Sequence, residues 1–282
     1  MSDSNSGRVS SHNQGRRRLV LGLGASFLGL AAALAEDIPG HAPAQHSAPA
    51  RKKARAPAAR SAQASHAAPV EQAPQAAHVV EAGLDPEVAM SRLMDGNVRY
   101  MSGFATHPNQ ELSRRAEVAK GQKPFASILA CADSRVAPEI LFDQGLGDLF
   151  VARVAGNVVD DAILASLEYS VIHLGSTLIM VLGHERCGAV KATIDALDGH
   201  GSEEDVGTKI GALAALIAPA VGAVPKGASD RLDSSVSMNA AMTAAEIFAR
   251  SPPLRSRVLA GKLKIVAARY DLDDGRVTPA RS

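Results

Sequence analysis

Tryptophan is absent from this chain of 282 residues, aromatic side chains make up only 3% of it, and its acidic and basic residues nearly cancel to a formal net charge of +1. The near-balance excludes any chain-wide attraction to nucleic acid, to an acidic membrane surface or to a strongly charged substrate. It leaves a small molecule or a copy of the chain itself as the partner. Cysteine is scarce as well. The two that occur, Cys131 and Cys187, exclude a scaffold of many disulfides. They can pair, bind a metal or simply be buried.

What is present is unevenly spread. Most of the alanine, proline and histidine excess falls in the first third, so the globular part is shorter than the chain. Arg16-Arg17-Arg18 precedes an apolar run from Leu19 to Ala35 that closes on Ala33-Leu34-Ala35, the layout of a signal peptide over residues 1–35 with small residues at its cleavage site. Consecutive arginines before the run suggest the twin-arginine route and a periplasmic or otherwise exported protein. Gly22, Gly24 and Gly29 weaken the run as a permanent helix, and an uncleaved anchor is the alternative. Residues 36–82 are rich in Ala, Pro, His, Gln and Ser and cannot bury enough apolar surface to offset ordering entropy, so they read as a disordered linker. The basic cluster Arg51-Lys52-Lys53-Ala54-Arg55 lacks interleaved aromatics and makes no nucleic-acid site.

From about residue 83 the pattern changes. Asp85-Pro86-Glu87 is an N-cap, a first-turn proline and an acid suited to the helix dipole, with Gly96 as a stop. Phe125–Ala130, Leu149–Val154 and Thr177–Leu182 are short apolar runs of the kind buried on both sheet faces. Between the last two, Leu164, Leu167, Val171 and Leu174 recur at helical spacing. Helical patterns follow over Thr208–Val221 and Met238–Arg250, Pro252-Pro253 breaks the chain, and Leu263–Tyr270 is a further strand. The expectation is a single α/β domain over residues 83–282, with a mostly parallel central sheet of about four to five strands flanked by helices.

Ligands in open parallel sheets gather beyond the carboxyl ends of strands, and both cysteines lie there. The first strand runs into Cys131-Ala132-Asp133-Ser134-Arg135, the third into Gly183-His184-Glu185-Arg186-Cys187-Gly188. If these strands are neighbours, two thiolates and an imidazole converge, a donor set that suits zinc with one position left for water.

Cys131-x-Asp133-Ser134-Arg135 followed by His184-x-x-Cys187-Gly188 resembles the paired signature of the β-class carbonic anhydrases, and the similarity extends over nearly all of the chain beyond residue 85. The resemblance implies one zinc ion per chain on Cys131, His184 and Cys187, and reversible hydration of carbon dioxide to bicarbonate by zinc-bound hydroxide. Asp133 would orient the nucleophile while Arg135 holds that carboxylate off the metal. Gln122, Phe150 at the end of the second strand, and Tyr169 are similar to the substrate-pocket positions of the plant-type branch, where the pocket lies at a dimer interface. A homodimer or larger assembly is implied, with no stable membrane insertion after signal cleavage. A second branch carries Trp three residues before the first cysteine, where this chain has Ile128. Arg153 remains, but bicarbonate inhibition through that constellation is not expected. His173 reads as structural, and His107 and His200 stay open as proton carriers. Hydrolysis of carbonyl sulfide or carbon disulfide on the same fold, and noncatalytic zinc binding with Asp133 as fourth ligand, remain the alternatives.

Overall fold

The computed structural model describes residues 83–280 apart from residue 206. The expected signal peptide and linker lie outside the described residues.

Helix α1 (Pro86–Met101) starts as its sequence dictates: Asp85 Oδ1 accepts from the backbone N–H of Glu87 at 2.8 Å, and Pro86 occupies the first turn. It does not stop at Gly96. The glycine lies inside the helix, where a Cβ would sit 1.8 Å from the Phe142 carbonyl oxygen. The residue is there for close approach and does not terminate anything.

Helix α2 (Leu112–Val118) leads to β1 (Ala126–Ala130), and the short α3 (Pro138–Leu141) connects β1 to β2 (Leu149–Arg153). Helix α4 (Asp161–His173) then crosses to β3 (Leu178–His184). After β3 come α5 (Gly188–Leu197), α6 (Lys209–Ala223), α7 (Arg231–Arg250) and α8 (Pro252–Leu259). The chain closes with β4 (Lys264–Tyr270) and β5 (Val277–Pro279). Helix α7 begins earlier than Met238 because Asp230 caps it, accepting from the Asp233 N–H at 2.9 Å. Pro252 and Pro253 do not merely break the chain. With Ser251 as cap they open α8, since proline at the first helical positions gives up only an N–H that would be orphaned anyway.

The sheet order is β2-β1-β3-β4-β5, parallel through β4 and antiparallel at β5. Every residue of β1 and β3 is buried, which is why both read as unbroken apolar runs. Alternation divides their side chains between two layers. Ile128, Ala130, Met180 and Leu182 pack with Ala89 and Leu93 of α1, while Leu129, Ile179 and Val181 pack with α4, α7 and α8. Because β2 lies on one side of β1 and β3 on the other, the connections diverge between the carboxyl ends of β1 and β3. This is the switch point at which such sheets open a crevice.

Candidate metal centre and active site

Cys131 follows the last residue of β1, His184 is the last residue of β3, and Cys187 caps α5 after a turn in which Arg186 takes φ +51°. All three side chains are buried, and their ligand atoms lie within 4.8 Å of one another. The cysteines form no disulfide. His184 Nδ1 lies 2.9 Å from the main-chain oxygen of Glu185. That oxygen can only accept, so Nδ1 carries the hydrogen and the Nε2 lone pair points into the cluster. Nε2 is buried without a partner. An orphaned acceptor costs about 1–3 kcal/mol, a cost that a metal on Nε2 removes. Two sulfurs and one imidazole nitrogen are the donor chemistry of zinc, so residues and group fit.

The thiols are prepared as a pair. The hydrogen bond from Cys187, aided by backbone N–H groups that include that of Gly156, outweighs burial and draws the Cys131 thiol down to about 4. The same shared hydrogen bond, with burial, pushes Cys187 up. Cys131 Sγ also accepts from the Gly156 N–H at 3.3 Å. Gly156 takes φ +70°, and a Cβ there would meet Ile217 Cδ1 at 2.6 Å. Its carbonyl accepts from buried Asn239 Nδ2 at 2.7 Å. The turn that aims an N–H at the thiolate is therefore held from α7.

Beside the cluster, Arg135 grips Asp133 at two points, Nε to Oδ1 at 2.9 Å and Nη2 to Oδ2 at 2.7 Å. The Arg135 side chain is the main reason that the Asp133 carboxyl is held well below the usual carboxylate range. Asp133 Oδ2 lies 3.9 Å from His184 Nε2.

The other three expected site residues stand elsewhere. Gln122 is exposed ahead of β1, in a shallow surface cavity of about 400 Å³ shared with Val118, Leu146 and Gly147. Phe150 is half-buried and pairs with Ser127, whose hydroxyl lies 2.6 Å from that of Ser170, so Phe150 faces α4. Tyr169, 48% exposed, is on that helix. Phe150 is at the end of β2 remote from the metal: Cys131 is four residues beyond Ser127, about 13 Å along the strand. Within one chain the structure does not bring Gln122, Phe150 and Tyr169 to the ligand triad. His173 is exposed, with its ring centroid 5.2 Å from that of Tyr169.

Sequence reasoning missed Gly156 and Asn239. The Gly156-Asn157 pair is a turn signal that could have flagged the first. An asparagine inside a long helix gives no local sign of its partner. Among the described residues, Glu185, Asp271 and Asp273 also cluster. They are engaged already: Glu185 Oε2 accepts from Leu272 N–H, Asp271 Oδ1 accepts from the Asp273 N–H, and Arg186 grips Asp273.

A parallel α/β sheet holding Cys, His and Cys across its switch point defines a zinc-enzyme architecture. The comparisons narrow it. The family model described as carbonic anhydrase matches residues 126–277. Carbonic anhydrase 2 of Mycobacterium tuberculosis is 44% identical over 196 residues, covering 68% of this chain and 91% of that protein. Carbonic anhydrase of Mycolicibacterium smegmatis is 43% identical over 194 residues, covering 68% and 92%. The solved Coccomyxa β-carbonic anhydrase, in complex with acetazolamide, shares 28% identity at a TM-score of 0.53, covering 67% of this chain and 85% of that one. The chain belongs to the carbonic anhydrase family, in its β class. It is a zinc enzyme of carbon dioxide hydration, and the cluster of Cys131, His184 and Cys187 is consistent with a zinc site.

Proposed function

We propose that the chain hydrates carbon dioxide at an open zinc site of the plant-type branch, completed by a second copy of itself. The observation that carries this reading is the two-point grip of Arg135 on Asp133, which engages both carboxylate oxygens and stands them back from the ligand triad. Zinc, when bound, supplies a Lewis acid that brings the pKa of coordinated water from about 16 to about 7. The side chains do the rest. Asp133, kept ionised by Arg135, accepts a hydrogen bond from the attacking oxygen and so turns a lone pair toward the substrate carbon. The Gly156 N–H, aimed at Cys131 Sγ, stabilises negative charge on that sulfur.

Gln122 of the partner subunit donates to a substrate oxygen, and Phe150 and Tyr169 of the partner subunit form the apolar wall that suits a nonpolar gas. Two arguments support a shared pocket: these residues sit at the far end of the sheet from their own metal ligands, and they match the family positions together. Ile128 in place of Trp argues for the plant-type branch and against bicarbonate control through Arg153.

Stopped-flow hydration with metal analysis tests the reading. The expected result is about one zinc per chain with turnover from pH 7 to 9. Zinc-loaded but inactive protein overturns it, and faster turnover of carbonyl sulfide than of carbon dioxide moves the chain to the hydrolases. Export over residues 1–35, motivated by Arg16-Arg17-Arg18 and the apolar run, is part of the proposal. Fractionation that leaves the protein wholly in the cytoplasm removes it.

A further inference from the structure

We propose that Arg153 is a positioning residue whose guanidinium keeps the Asp133 carboxylate off the metal, an inference that rests on the open-site reading above. Arg153 ends β2, in register with Ala130 at the end of β1. Its side chain reaches across the neighbouring strand end, Nε donating to the Cys131 carbonyl at 3.1 Å and Nη2 to the Asp133 carbonyl at 2.7 Å. The backbone continues the same attachment: Val154 N–H donates to Ala130 O at 3.1 Å and Ala132 N–H to Val154 O at 3.3 Å. Residues 130–133 are thus sewn to Arg153 and Val154 at four points.

The Asp133–Arg135 pair cannot do this alone. Both partners sit in one turn, two residues apart, so their bonds fix the carboxylate relative to the turn. They do not fix the turn relative to β2, and the bond that Arg135 sends outside the turn, Nη2 to the Arg186 carbonyl, is long at 3.4 Å. The margin is small. Two ligand atoms about 2.0–2.1 Å from a tetrahedral metal stand about 3.3 Å apart, whereas Asp133 Oδ2 is 3.9 Å from His184 Nε2. A drift of the turn by a fraction of an ångström brings the carboxylate to ligand spacing. The planar fork of arginine, with donors on two edges, bridges the two carbonyls at once, and the single ammonium of lysine does not.

The test uses the full chain with Co(II) in place of zinc, azide as a probe of the open coordination position, and the visible absorption bands as the readout. For Arg153→Ala the expected results are about one metal per chain, at least tenfold weaker azide response, and kcat of carbon dioxide hydration lower by tenfold or more with KM little changed. Arg153→Lys should fall between this variant and the unaltered protein. The double variant Arg153→Ala, Asp133→Asn should regain the azide response, because an amide is a poor substitute for an anionic ligand. Undiminished azide response in Arg153→Ala overturns the assignment, and so does failure of the double variant to regain it. If Arg153→Ala does not fold, an unchanged azide response in Arg153→Lys overturns it equally. The unaltered protein reports on the open-site reading separately: no azide response there sinks the reading itself, whereas a response shared equally by the Arg153 variants sinks only the role of Arg153.

Discussion

Asp133 and Arg135 form a closed fork within a single turn, with both carboxylate oxygens bonded to the guanidinium and Oδ1 bonded as well to the Arg135 backbone N–H at 2.9 Å. Arg135→Ala leaves the three metal ligands untouched but frees the carboxylate. Zinc should remain at about one per chain while kcat for carbon dioxide hydration drops about 10- to 100-fold, measured by stopped flow beside metal analysis. Near-normal turnover in this variant would contradict the role given to the pair.

Metal capture should appear as stability. A ligand that binds only the folded state stabilises it by an amount that grows with its excess over Kd, about 2.7 kcal/mol at a hundredfold excess. Chelation should therefore lower the melting temperature of the unaltered protein. Cys187→Ala should start low and lose little more when chelator is added. Equal chelator effects on both proteins would exclude Cys187 as a ligand.

The separation of Gln122 from the triad makes subunit complementation possible. Gln122→Ala and Cys187→Ala homodimers should each be poorly active. After mixing and subunit exchange, half of the dimers would be mixed and each would hold one intact site, so activity should recover to about a quarter of the unaltered level in a two-fold symmetric assembly. No recovery despite proven exchange would place each pocket within one chain.

Asp143 gives a pH test away from the metal. Burial alone would raise its carboxyl, but Thr106 N–H at 3.0 Å, Arg99 at 2.6 Å, His107 N–H at 2.8 Å and the Thr106 hydroxyl at 2.9 Å overcome that and hold it well below the usual carboxylate range. A depressed folded-state value contributes stability that is present above the unfolded value of about 4 and lost as pH falls toward the folded one. In urea denaturation, Asp143→Asn should be less stable than the unaltered protein at pH 7 by about 2–4 kcal/mol. The gap should narrow as pH drops below about 4. A gap that is constant with pH would mean that ionisation of Asp143 is not what the contacts stabilise.

Gly96→Ala tests the packing of α1. Alanine is the better helix former, and on an exposed face it would stabilise by about 1 kcal/mol. Here its methyl would meet the Phe142 carbonyl, so the sign should reverse to a loss of about 1–3 kcal/mol. A higher denaturation midpoint would refute the close approach.

Strands β1 and β3 and helix α4 were legible because each is one buried or amphipathic run with its own boundary signals. The convergence of Cys131, His184 and Cys187 was legible because strand ends are where parallel sheets place chemistry and because two spaced motifs coincided. Gly96 misled because a glycine that admits a neighbouring backbone looks, in sequence, the same as one that ends a helix. The start of α8 misled because a double proline marks either a break or a helix beginning, and only the Ser251 cap decides. Asn239 and the contacts of Arg153 were beyond reach, since both depend on tertiary approach between elements distant in the chain. The position of Phe150, second in a parallel strand whose carboxyl end faces the ligand cluster, was already implicit in the run Leu149–Val154 and was overlooked.

The strand order of the sheet has a consequence for how the protein is made. A growing chain presents Cys131 well before His184 and Cys187 have been synthesised, and the next strand to emerge, β2, lies on the other side of β1. Until β3 docks, the emerging polypeptide carries a lone thiol and no site. Parallel pairings that need a crossover each time are intrinsically slow to form. Zinc uptake should therefore mark the docking of β3 against β1, and chains stalled before that step should be the ones exposed to oxidation at Cys131.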